Sequence, residues 1–193
     1  MASQVDIVNA ALRLLGANRI TELDQSTKEA RSMEEAWDMT RDAALAAYPW
    51  NFAIAYAAIA AEVNEPAHTW DASYPVPADC LRVLDCPDLL TSEWTMGKAI
   101  GQSGRAVLAD TSGSLNIKYI SQITETTAWD ACFVSYMAAR LAKACVEDIT
   151  ESESAYQRIK DAMKEAMNEA YMTDAIEGPP EDLPADDWIA GRL

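Results

Sequence analysis

The sequence predicts an α+β protein, mainly α: an antiparallel helical bundle with a small β-rich insertion in the middle and an extended C-terminal tail. Three observations carry this. Apolar residues recur at three- and four-residue steps over about 3–15, 27–48, 128–149 and 154–173. Between about 52 and 122 the period shortens towards two, and Pro and Gly interrupt it. Beyond 174 the chain turns acidic and Pro-rich. Its 193 residues suit a single domain over 1–174, with 175–193 as the tail.

The first helix opens on Ser3-Gln4-Val5-Asp6, which has the form of a capping box, and stops at Gly16. Val5, Val8, Leu12 and Leu15 form its apolar stripe. A connector follows, with Ile20 and Leu23 expected to pack. Ser26-Thr27-Lys28-Glu29 reads as a second capping box, leading the stripe Ala30, Met33, Trp37, Thr40, Ala44 and Tyr48. Pro49 ends that helix, because it lacks a donor N–H and disfavours helix for Tyr48.

An extended strand is expected after this corner, on the alternation of Phe52, Ile54 and Tyr56, against the helix preference of the alanines around them. Pro75 and Pro77 restrict Trp70–Pro77 to an edge strand or rim, and Leu81-Arg82-Val83-Leu84 reads as a short strand. Residues 86–104, with Pro87, Gly97, Gly101 and Gly104, read as turns. Arg105–Ala109 and Ser114–Ile120 flank Asp110-Thr111-Ser112-Gly113 and read as a hairpin.

Thr127-Ala128-Trp129-Asp130 is expected to cap the third long helix, whose stripe is Trp129, Phe133, Tyr136, Met137 and Leu141. Its alanines let another helix approach closely. Ser154-Ala155-Tyr156-Gln157 caps the fourth, which fades near Asp174. In the tail, Glu177 to Asp187 cannot form a core, yet Trp188-Ile189-Ala190-Gly191-Arg192-Leu193 is apolar.

The stretch Tyr48-Pro49-Trp50-Asn51-Phe52-Ala53 joins the helical and β-rich parts. Trp50 and Phe52 are large apolar anchors, and Asn51 between them can bond exposed backbone. Two readings are open: an aromatic plug between the two parts, or a corner shared with a neighbouring subunit.

Composition narrows the functions. Asp+Glu number 31 against 15 Lys+Arg, a net charge of −16. That disfavours a protein that grips nucleic-acid phosphates or an anionic membrane. It does not argue against a protein that lets DNA slide past without sticking, since a surface of like charge repels it. The four cysteines form no C-x-x-C pair and His68 is the single histidine, so no metal site and no cofactor are expected. No phosphate-binding loop stands at Gly101-Gln102-Ser103-Gly104, and no serine carries an elbow motif, so no catalytic residue is expected. Residues 1–20 lack the basic start and apolar run of a signal peptide, and no window matches a membrane span, so synthesis in the cytosol is expected.

Taken together and in order, four segments resemble the head-to-tail adaptor family of short-tailed bacteriophages, the tail accessory factors and tail tubular proteins of the A type. They are the corner Tyr48–Ala53; Tyr74-Pro75-Val76-Pro77-Ala78-Asp79-Cys80-Leu81-Arg82-Val83; Leu115-Asn116-Ile117-Lys118-Tyr119-Ile120; and Phe133-Val134-Ser135-Tyr136-Met137-Ala138-Ala139-Arg140-Leu141-Ala142. The resemblance spans nearly the whole chain, the tail excepted. It implies a structural virion protein at the head–tail junction, made in the bacterial host cytoplasm, not an enzyme. Copies would form a ring beneath the portal protein, about twelve if they follow portal symmetry. The ring would extend the DNA channel, with DNA passing unbound, and dock tail nozzle or needle proteins. A peptidoglycan-degrading tail component and a helical assembly module are the alternatives. Interface candidates are Trp50, Asn51, Phe52 and Tyr74, with Trp188, Ile189 and Leu193 as tail anchors on the portal or an adjacent subunit.

Overall fold

The structure is a computed structural model that describes residues 2–62, 69–98, 104–150 and 152–178. Four helices and two three-stranded antiparallel sheets make up these residues. In chain order they are α1 (Gln4–Leu15), α2 (Lys28–Ala47), β1 (Ile54–Ala60), β2 (Ala72–Pro75), β3 (Cys80–Asp85), β4 (Trp94–Lys98), β5 (Arg105–Ala109), β6 (Ser114–Ser121), α3 (Ala131–Thr150) and α4 (Glu153–Glu177). Short 3-10 turns at Asn51–Ala53 and Thr126–Ala128 precede β1 and α3.

This corrects the expected mainly-α bundle with a small β insertion. The fold is α+β, and its β part has a core of its own. One sheet has the order β1-β6-β3 and the other β2-β5-β4. Ile59, Tyr74, Cys80, Cys86, Val107 and Leu115 are among the buried residues that meet between them. The physical reason is supply: this stretch carries enough inward-facing apolar groups to exclude water without help from the helices.

The first sheet is a shared layer. On β6, Leu115, Ile117 and Tyr119 face the second sheet, whereas Ile120 joins the helical core. On β3, Val83 packs towards the second sheet and Leu81 and Leu84 towards the helices. A strand buried on both faces reads as continuous rather than alternating. Register shifts along β3 accommodate the change of side.

The expected hairpin over 105–120 is also corrected. β5 and β6 do not pair with one another; each is the central strand of a different sheet. The connector between them crosses from layer to layer, with Gly113 at φ 89°, a left-handed conformation that a side chain disfavours. Tyr74 Oη donates to Thr111 O at 2.9 Å and holds that connector down. Periodicity identifies the strands here, but not their partners. Likewise β4 lies in the stretch read as turns. At its Gly97 the Leu108 side chain of β5 lies across the strand, where a Cβ would stand 2.6 Å from Leu108 Cδ1. β2, ending at Pro75, is an edge strand.

Capping sets the helix ends. Ser3 and Asp6 form the reciprocal box at α1. Asn9 then ties the connector to α1 through two 2.9 Å hydrogen bonds with the main chain of Ile20, which is buried. At α2 the cap is Thr27, not Ser26, and its hydroxyl accepts from Ala30 N. At α4 it is Ser152 rather than Ser154. α3 begins at Ala131, after the turn that the expected cap occupies. α4 continues to Glu177, past the expected fade, so residues 175–177 of the expected tail are helical and 179–193 lie outside the described residues. α3 is the central helix and packs on α1, α2 and α4.

Candidate functional site

Pro49 closes α2, and the chain turns through Tyr48 and Pro49 to place Trp50 beneath the helices. Trp50 is 1% exposed. Its indole N–H donates to Ala44 O at 3.1 Å, across the end of the helix it follows. Phe133 and Tyr171 stand 5.0 and 5.4 Å from its ring centre, Tyr48 at 5.0 Å, and Tyr136 and Phe52 slightly farther out. Rings from α3, α4 and the corner thus interlock, at separations where edge-to-face and offset pairs attract.

Asn51 locks the other side of the corner. Its main-chain N–H donates to Asp174 Oδ1 at 2.8 Å, and its Nδ2 donates to the main-chain oxygen of Asp174 at 2.6 Å. The last turn of α4 is thereby tied to the turn that starts β1. Asp174 is buried, and desolvation pushes its carboxyl above the ordinary range; the Asn51 N–H opposes that shift, while Asp130 and Glu177 add to it.

Among the expected interface residues, Trp50, Asn51 and Phe52 come together here. Trp50 is enclosed by its own chain and has almost no surface for a neighbour; Phe52 is half-buried and Asn51 exposed. Tyr74 lies apart, wholly buried in the inter-sheet core, where desolvation pushes its phenol up. Trp188, Ile189 and Leu193 lie outside the described residues, as does His68. Sequence reasoning missed Asp174 and Tyr171. Their spacing of three residues puts both on one face of α4, the only signal available.

No other constellation among the described residues suggests chemistry. Among the described residues, no three or more His, Cys, Asp or Glu side chains are grouped to hold a metal ion, and no helix is long and apolar enough to cross a membrane. Burial pushes the thiols of Cys80, Cys86 and Cys145 up, Cys86 to about 11. The thiolate is the nucleophile, so at pH 8 these groups are poorly reactive. Cys132 is half-buried, 3.4 Å from Thr173 Oγ1. With a thiol-specific reagent, the native protein is therefore expected to label at Cys132 first. The other three should follow roughly a hundred-fold more slowly, or only on unfolding. Rapid labelling of several thiols in the native chain would contradict these burials.

No model of a known protein family and no curated protein matches the chain.

Proposed function

We propose that this protein is a structural head-to-tail adaptor of a short-tailed bacteriophage, which forms a ring under the portal protein. The observation that carries the reading is the ordered set of four segments set out above. Each falls on a distinct part of the fold: the corner, β2 to β3, β6 and α3. Two further features support it. The net charge of −16 suits the wall of a channel through which DNA moves without phosphate contacts. Met172 and Ile176, one turn apart on α4, are 69% and 82% exposed. A single exposed apolar residue is ordinary, but such a pair on one helical face is suited to an assembly contact.

Free acidic copies repel one another, so the portal acts as template. Imaging the protein with and without the portal of the same phage tests the reading. The expected result is a ring of copies on the portal, with weak or no ring formation in its absence. A protein that stays a globular monomer and never associates with the portal overturns it.

A further inference from the structure

Between α2 and α3 runs a cleft of about 250 Å³ lined by Met39, Thr40, Ala43, Arg140, Lys143 and Ala144. Met39, 75% exposed, stands at its mouth. Arg140 spends its hydrogen bond on the Tyr136 hydroxyl and lies 5.7 Å over that ring. The ion pairs resolved among the described residues are those of Arg41 with Asp38 and Asp42. Among the described residues Arg140 and Lys143 therefore have no carboxylate partner, in a chain with 31 acids and 15 bases. Two uncompensated cations beside an apolar wall fit an acidic peptide that carries an apolar anchor.

The chain contains such a peptide. Glu181-Asp182-Leu183-Pro184-Ala185-Asp186-Asp187-Trp188-Ile189 holds four carboxylates followed by an indole. It also starts close by. Gly178, at the end of α4, abuts the Asn51 side chain. Asn51 is three residues from Tyr48, at most about 11 Å, and Ala43 is about 7.5 Å of helix before Tyr48. The cleft thus opens within about 25 Å of Gly178, whereas the residues up to Trp188 can span about 33 Å.

We propose that residues 181–189 dock into this cleft of their own chain, with Asp186 and Asp187 against Arg140 and Lys143 and Trp188 against Met39. At an effective concentration on the order of 1 mM, an intrinsic affinity of about 0.1 mM keeps the segment docked roughly ten times out of eleven. Docking shields Trp188 and Ile189 until a partner competes for them. It holds whether or not the chain is a phage adaptor.

Hydrogen exchange on the full chain, followed by mass spectrometry, tests this. Amides in 181–189 are expected to exchange about tenfold more slowly than their intrinsic rates, independent of protein concentration. Arg140→Glu with Lys143→Glu should abolish that protection. Asp186→Lys with Asp187→Lys should abolish it as well, without touching the folded body, and all four changes together should restore it. Exchange at intrinsic rates in the unaltered chain overturns the proposal. So does protection that survives both charge reversals. Protection that grows with concentration overturns it too, since the occupant is then the segment of a second copy.

Discussion

Trp50→Ala is expected to destabilise the protein by about 3–5 kcal/mol, lowering the melting temperature by about 6–20 °C for a chain of this size. The side chain is 1% exposed, and rings from two helices and the corner close around it. Removing it opens a cavity between rigid aromatic neighbours that cannot collapse, and the transfer free energy of the indole is lost as well. Trp50→Phe retains most of the apolar contact but leaves Ala44 O without its donor, and about 1–2 kcal/mol should be lost. Urea unfolding of the two variants checks both values. A cost under about 1 kcal/mol for the alanine variant would mean that the ring is not enclosed as described.

The Asp174 clasp carries the second large effect, and here the direction depends on pH. Asp174→Ala removes the acceptor of the Asn51 N–H and is expected to cost about 1–3 kcal/mol. Asp174→Asn keeps an oxygen in that place and sheds a buried charge, so it should be at least as stable as the parent at neutral pH. The native carboxyl titrates above its unfolded value of 3.8. Between those two values the native state holds the proton and the unfolded chain has lost it. Stability from this group is therefore complete below the unfolded value and falls as pH rises through the native one. The advantage of Asp174→Asn over the parent should accordingly be present at pH 7 and shrink as the pH falls towards 3.8. Melting curves for the three proteins across that range provide the check; an advantage that widens on acidification would reverse the assignment.

Local chemistry was legible without coordinates. Ser3 with Asp6 and Gly16 mark the ends of α1, and Pro49 marks the end of α2, because caps and breakers act within a few residues. The position of the corner was legible for the same reason, and so was the strand that follows it. What surrounds Trp50 was not. Tyr171 and Asp174 reach the corner from more than 120 residues away, and nothing in the spacing of either segment encodes that meeting. The strands β5 and β6 make the same point. Their alternation and the Gly113 turn follow from the residues themselves, but a turn of that length serves either a hairpin or a crossing between layers. Only tertiary packing chooses between the two. With Leu115, Ile117 and Tyr119 facing one core and Ile120 the other, β6 must lie between the helices and the second sheet. β5 then pairs with β2 and β4, since the free energy of burying both faces of β6 exceeds that of local pairing.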